Sequence, residues 1–152
     1  MAGRITFFNI FCFLTVVLAG VRVEGNCTDA ELEALGYKRG ELTDEKRAKA
    51  LAVAACIKKA AKASMTLTKE KDTQKVVKKI EKELKTVEVD AVSAECLTCF
   101  AKSVQCAIKH CKGACIGGDL SENCRQCMEA HCDADFRACV GAPTIDLAQL
   151  KA

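Results

Sequence analysis

Apolar residues recur every three to four positions along most of the chain, which is the spacing of one face of an α-helix. Near residue 28, Thr28-x-x-Glu31 has the form of a capping box and Gly36 that of a helix stop, so a short first helix is predicted over 29–35. The alternation of β-branched and polar residues that marks strands is missing. The pattern therefore predicts an all-α protein.

Two longer amphipathic helices are predicted next. The second helix begins at Thr43 or Asp44 and ends near Ser64, with a narrow apolar stripe of Ala50, Val53, Ala54, Ile57 and Ala61. The third begins near Thr68, with a stripe of Thr73, Val76, Val77, Ile80, Leu84 and Val87. Both stripes are bordered by lysines.

Charge divides the chain into a basic and an acidic part. Residues 38–85 contain fifteen basic and seven acidic residues, whereas residues 86–152 contain six and nine. A lysine-rich amphipathic helix can lie on an anionic membrane, but an apolar face of alanine and valine without tryptophan or phenylalanine favours packing inside the protein. Aromatic residues are not interleaved with the lysines, so we expect no nucleic-acid partner.

The N-terminus predicts export. Arg4 precedes an apolar run over 5–19, the pattern of a secretory signal peptide, and the run is shorter than the roughly 20 residues that span a bilayer. We expect cleavage after Gly25, with cleavage after Ala19 as the alternative, and a secreted protein in the extracellular space or secretory lumen. Asn26-Cys27-Thr28 matches the N-glycosylation sequon, which makes Asn26 a weak candidate acceptor.

The chain has 12 cysteines, a density typical of secreted chains stapled by disulfides. Loss of Cys12 with the signal peptide leaves an odd number. One thiol is then either free or bonded to a second chain, so a disulfide-linked dimer is one expected form.

Nine cysteines form a nearly palindromic block over 96–139, centred on Gly117-Gly118. Two antiparallel helices place residues opposite one another when their residue numbers have a constant sum. Asp119 and Glu122 are expected to begin the second helix of such a hairpin, and Gly141 with Pro143 to end it. The favoured pairing is a ladder of Cys99 with Cys139, Cys106 with Cys132, Cys111 with Cys127, and Cys115 with Cys124.

Helical phase does not fit this ladder perfectly. In a straight α-helix Cys106 and Cys111 lie about 140° apart around the axis. An alternative scheme, which fits the phase better and the spacing less well, pairs Cys96 with Cys139, Cys106 with Cys127, and Cys111 with Cys124. In the ladder, one pair and the odd thiol remain to be found among Cys27, Cys56 and Cys96.

The same residues also fit the spacing of two other kinds of site. The two Cys-x-x-Cys motifs, at Cys96 and Cys124, with His110 and His131 nearby, have ligand-like spacing for zinc, but oxidation is favoured in a secreted chain. The glycine turn, His131 and Asp133 resemble the secreted phospholipase pattern, which would imply calcium-dependent lipid hydrolysis, although a cysteine separates the last two. We expect no enzyme activity, catalytic residue, cofactor or metal.

The expected architecture is an all-α, disulfide-stapled helical hairpin preceded by a basic helical segment, together a bundle of four or five helices. Its expected parts are a signal peptide (1–25), a lysine-rich helical segment (26–89), a cysteine-rich hairpin (90–141) and a tail (142–152). The expected function is extracellular binding, as a signal, effector or toxin-like protein that presents the rigid hairpin to another protein or to a cell surface. The alternative is a precursor whose cysteine block is released as the mature peptide.

Overall fold

Six α-helices build the protein in a computed structural model that describes residues 25–118, 120–141, 144, 145 and 150. They are α1 (Asp29–Ala34), α2 (Asp44–Lys62), α3 (Thr73–Leu84), α4 (Ala94–Cys106), α5 (Glu122–His131) and α6 (Asp133–Val140). The described residues contain no strand, and a single antiparallel bridge joins Lys38 to Thr144. The predicted all-α class is confirmed, while the predicted signal peptide, Asp119 and Pro143 lie outside the described residues.

Side-chain caps begin the first two helices where the sequence predicts. Thr28 and Glu31 form the reciprocal bonds of a capping box on α1, and the Thr43 hydroxyl accepts from the backbone nitrogen of Lys46 at the start of α2. Gly36 follows the end of α1 with φ 73°, and a Cβ there would lie 2.9 Å from the backbone nitrogen of Ala50. Only glycine satisfies both the conformation and this close approach.

The α3 helix is the centre of the packing. A 3-10 turn, Glu70–Asp72, leads into it, and its apolar residues are buried against α2 and α4, with which it makes its most extensive contacts: Val76, Val77, Ile80 and Leu84. Lys59 of α2 and Glu83 of α3 form an ion pair at 2.7 Å. Because the apolar face of α3 is already covered by protein, the lysine-rich segment does not offer it to a membrane surface.

Residues 94–140 form the predicted hairpin, and we use that name for them below. Its first arm continues from α4 through a π-helix, Ala107–Cys111, and the chain reverses near Gly118, whose φ is 116°. The cap of the second arm differs from the prediction, because the Ser121 hydroxyl accepts from the backbone nitrogen of Cys124 and begins α5.

The second arm of the hairpin is two helices rather than one. The chain breaks at Cys132, where φ is −125° and ψ is −31°, and no side-chain cap separates α5 from α6. The described chain therefore has six helices where four or five are expected. Gly141, with φ 74°, ends α6 at the predicted position.

The N-terminal segment and the hairpin share one core. Leu32 and Leu35 near α1 are fully buried in the same apolar cluster as Leu97 and Phe100 of α4. The backbone nitrogen of Asn26 donates to the carbonyl of Cys139 at 2.8 Å, which holds the start of the described chain against the end of α6. Among the described residues, no helix has the length and apolar character required to cross a membrane.

Candidate functional site

The described residues contain five disulfides, and four of them join the two arms of the hairpin. They join Cys99 to Cys139, Cys106 to Cys132, Cys111 to Cys127, and Cys115 to Cys124, which are the pairs of the constant-sum ladder. The fifth joins Cys27 to Cys96 across 69 residues and ties the start of α1 to α4. The arms are thus held together along their whole length.

The π-helix explains how Cys106 and Cys111 can both serve the ladder. A π-helix bonds residue i to i+5, so each residue turns the chain by less than the 100° of an α-helix. Residues five apart therefore lie closer to one face than the roughly 140° that separates them in an α-helix. On the second arm, α5 ends before Cys132, so Cys132 does not continue the helix that contains Cys127. Both departures from straight helices fall between the two middle rungs of the ladder.

The cysteines whose spacing fits a zinc site form disulfides instead. Both Cys-x-x-Cys motifs consist of disulfide-bonded residues, and no group of three or more potential metal ligands occurs in the part of the chain that the structure describes. His110 and His131 instead stack on each other from opposite arms, with ring centroids 5.4 Å apart and planes 10° apart. Asp133 lies 3.7 Å from Arg137 in an ion pair.

Cys56 is the one cysteine of the described residues that forms no disulfide. It lies on α2, is 6% exposed, and its Sγ donates to the carbonyl of Glu83 at 3.3 Å. This burial argues against an interchain disulfide through the odd cysteine. Asn26 is exposed beside the disulfide-bonded Cys27, and its glycosylation stays a prediction.

A large, partly open cavity lies between α2 and the hairpin. Its volume is about 680 Å³. The wall on the α2 side consists of Ala54, Ile57, Ala61 and Met65, and the wall on the α4 side includes Val104, Ala107 and Ile108. The tip of the hairpin and α5 complete it with Ile116, Leu120 and Met128, next to the Cys115–Cys124 disulfide. We call this space the cavity.

Aromatic rings from three parts of the chain meet at the cavity. Phe100 of α4 packs edge-on against Tyr37, at a centroid distance of 5.6 Å, and against Phe136 of α6, at 5.2 Å. All three rings line the cavity, and Ile145 beside them donates its backbone nitrogen to the carbonyl of Tyr37 at 2.9 Å. The cavity thus has an aromatic wall at the junction of α4, α6 and the C-terminal segment.

The apolar stripe predicted on α2 lies partly in the core and partly along the cavity. Ala50 and Val53 are fully buried in the core, whereas Ala54, Ile57 and Ala61 are only partly buried and line the cavity. Apolar spacing predicts which face of a helix avoids water, but it does not distinguish a packed face from a face lining an open space. The sequence pattern therefore predicts the apolar face of α2 but not the cavity beside it.

Exposed apolar side chains cluster at the same place. Among the described residues, the large apolar side chains that are more than a third exposed are Leu51 at 37%, Met65 at 38% and Ile116 at 84%. Met65 and Ile116 both line the cavity.

Comparisons with known protein families, characterised proteins and solved structures find no match to the chain. The geometry and chemistry of the cavity are therefore the basis for inferring a function.

Proposed function

We propose that the protein is a secreted, non-enzymatic binding protein that holds a small apolar molecule in the cavity between α2 and the hairpin. The observation that carries this proposal is an apolar space of about 680 Å³ whose hairpin side is crossed by four disulfides. Ligand sites typically occupy about 300–1,000 Å³ and are lined mainly by apolar and aromatic side chains. The proposed ligand site between α2 and the hairpin makes the expected signal, effector or toxin-like role more specific.

Energetics favour an occupied cavity. The apolar side chains that line the cavity partly face water, and covering them with an apolar ligand is favourable because it removes that surface from water. A chain of 152 residues with little aromatic surface has a small core from which to offset the cost of leaving that surface in water. The disulfides of the hairpin stabilise the fold by restricting the unfolded chain. The hairpin can therefore keep its shape although no side chain of the described residues fills the space between it and α2.

Secretion is supported by the disulfides and by the N-terminal pattern. Multiple disulfides are typical of proteins in an oxidising compartment, which export through the predicted signal peptide would supply. Release of the cysteine block from a precursor is disfavoured. The Cys27–Cys96 disulfide would keep any fragment cut between these residues attached, and α3 packs on α4.

The test is binding of a neutral apolar probe, N-phenyl-1-naphthylamine, to the oxidised secreted protein. We expect saturable binding at one site per chain, with a blue shift of the probe emission. The chain contains no tryptophan, so Ala54→Trp and Ala61→Trp each place a large ring in the cavity and also report on occupancy. Each should weaken probe binding about ten-fold or more, since lost cavity volume is lost apolar contact.

Ala55→Trp is the matched control, because Ala55 lies on the same helix, is exposed and does not line the cavity. It should bind the probe as the unmodified protein does. A non-reducing peptide map of the five disulfides checks the fold of every variant. Absence of saturable binding, or equal binding by correctly bonded Ala54→Trp, Ala61→Trp and Ala55→Trp, would contradict the proposal.

A further inference from the structure

We infer that the ligand of the cavity is an amphiphilic anion, with an apolar tail between α2 and the hairpin and an anionic head near Lys62 and Lys112. This inference rests on the proposed function and specifies its ligand class. It starts from the charges around the cavity. The ionisable side chains that line it are two acidic residues, Glu122 and Asp133, and five basic residues, Lys58, Lys62, Lys112, Arg125 and Arg137.

The acidic side chains are already neutralised from within the hairpin. Glu122 Oε1 lies 2.7 Å from Arg125 one turn along α5, and Asp133 Oδ2 lies 3.7 Å from Arg137 one turn along α6. Each arginine therefore has a carboxylate beside it. The positive charge that remains comes from lysines on the two opposite walls.

Lys62 and Lys112 are the lysines best placed for a ligand. Within the residues that the structure describes, neither takes part in an ion pair or a side-chain hydrogen bond. Lys62 is in the last turn of α2, three residues before Met65, and Lys112 follows the π-helix, four residues before Ile116. Each lysine thus lies about one turn from an exposed apolar side chain that lines the same cavity.

This arrangement matches a molecule with two ends. An apolar tail would cover Met65, Ile116 and the aromatic wall, and each buried methylene would contribute roughly 0.8 kcal/mol. A carboxylate or similar anion at the end of the tail would form charge-assisted hydrogen bonds with the ammonium groups. A cationic head would be repelled by the same lysines, and a neutral head would gain less from them.

The position of the cavity favours a free amphiphilic molecule over a lipid that remains in a membrane. A tail in the cavity must lie between α2 and an arm of the hairpin that is fixed by the Cys115–Cys124 and Cys111–Cys127 disulfides. A bilayer surface would instead need a broad exposed apolar face. The apolar face of α3, the most amphipathic of the lysine-bearing helices, is buried in the core.

The experiment compares three ligands with the same tail at pH 8: dodecanoate, dodecanol and dodecyltrimethylammonium. Each is titrated below its aggregation limit against the protein loaded with N-phenyl-1-naphthylamine. We expect dodecanoate to displace the probe at about ten-fold lower concentration than dodecanol, with the cation weakest. Replacing both lysines, as Lys62→Gln with Lys112→Gln, should abolish the advantage of dodecanoate and leave dodecanol within about two-fold.

The control is Lys78→Gln with Lys82→Gln, which removes the same charge from exposed positions of α3 outside the cavity. It should retain the preference for dodecanoate. Equal displacement by dodecanoate and dodecanol, or a preference unchanged in the cavity variant, would overturn the inference while the proposed function stands. Failure of the neutral probe to bind would remove the proposed function itself. Co-sedimentation with phosphatidylglycerol vesicles, without displacement by dodecanoate, would indicate a membrane ligand and also overturn the inference.

Discussion

Glu31 Oε1 accepts a hydrogen bond of 2.7 Å from the backbone nitrogen of Ser93, 62 residues further along the chain. Its Oε2 accepts from the backbone nitrogen and the hydroxyl of Thr28, at 2.7 and 2.8 Å. Thr28 caps α1 and Ser93 caps α4, so one carboxylate connects the N-termini of two helices. The Cys27–Cys96 disulfide joins the same two helix starts, and the carboxylate and the disulfide therefore support one junction.

This junction predicts a loss of stability in acid. Burial alone would raise the pKa of Glu31, but the hydrogen bonds from Ser93 and Thr28 outweigh burial and lower the pKa from 4.5 to about 2. Because the folded pKa is depressed, the stabilisation is present above pH 4.5 and is lost as the pH falls toward 2. Glu31→Gln should lower the free energy of unfolding by about 2 kcal/mol at pH 7, measured in urea.

The difference in unfolding free energy between Glu31→Gln and the unmodified protein should shrink as the pH falls below 4.5 and become small at pH 2. Glu33→Gln is the control, since Glu33 lies on the same helix, is exposed and, among the described residues, makes one ion pair, a 3.9 Å contact with Lys46. It should change stability by less than about 0.5 kcal/mol. A pH-independent deficit in Glu31→Gln would rule out the ionised carboxylate as its cause.

The buried side chain of Gln105 joins α4 to the segment that leads into α3 by hydrogen bonds. Its buried amide nitrogen donates to the carbonyls of Leu67 and Lys69, both at 2.8 Å, and its Oε1 lies 2.9 Å from Thr73 Oγ1. Gln105→Leu would leave the Leu67 carbonyl without its side-chain partner, while the Lys69 carbonyl and the Thr73 hydroxyl each keep a hydrogen bond to the backbone. The substitution should therefore cost about 1–2 kcal/mol of unfolding free energy. Gln126→Leu, at an exposed position of α5, should cost less than about 0.5 kcal/mol. Similar losses for the two variants would contradict this role of Gln105.

Two serine-to-alanine changes should have opposite signs. The Ser64 hydroxyl is fully buried and has no hydrogen-bond partner among the described residues, so Ser64→Ala should raise stability by about 0.5–1 kcal/mol. The Ser121 hydroxyl caps α5, so Ser121→Ala should lower stability by about 1 kcal/mol. Thermal and urea unfolding measure both, and destabilisation by Ser64→Ala would show that its hydroxyl does have a partner.

Disulfides that close different lengths of chain should contribute unequally. In the chain-entropy model, Cys27–Cys96, which spans 69 residues, contributes about 4 kcal/mol, whereas Cys115–Cys124, which spans 9, contributes less than about 3 kcal/mol. Replacing each pair by alanines and measuring unfolding in urea tests this order. We expect the Cys115–Cys124 variant to keep the fold but lose affinity for the probe, because that disulfide lines the cavity. A reversed order of stability would indicate that strain or residual structure outweighs loop length.

The thiol of Cys56 should be unreactive in the native protein. Its side chain is 6% exposed, so iodoacetamide should modify one thiol per chain in urea and almost none without it. The protein should run as a monomer on a non-reducing gel. A dimer band that disappears in Cys56→Ser would show that this residue can leave the core to form an interchain disulfide.

Local signals predicted much of this fold. The capping box at Thr28 and Glu31, the Thr43 cap and the glycine after α6 depend on neighbouring residues, so the sequence alone is sufficient to recognise them. The structure also contains the pairs of the ladder, because antiparallel helices impose a numerical relation that can be read from the spacing. The apolar stripe of α3 was likewise visible as a periodic pattern.

The remaining features depend on contacts between distant parts of the chain. A π-helix at Ala107–Cys111 and a break at Cys132 have no local signal in the residue types, because they arise when two arms must bring their sulfurs together. The start of α5 was misplaced, since Asp119 and Ser121 are both good capping residues. The cavity depends on the distance between α2 and the hairpin, and periodicity within either helix contains no information about that distance.

The π-helix marks the place where the first arm of the hairpin could change its length during evolution. Deleting one residue between Cys106 and Cys111 and returning to α-helical winding would leave these cysteines four residues apart, about 40° around the axis, so both would still face the second arm. In the α-helical part of the same arm, between Cys99 and Cys106, a change of one residue would instead turn one cysteine by about 100° relative to the other. Loss of one residue should therefore be tolerated at the π-helix, while the interval between Cys99 and Cys106 stays constant in any related chain.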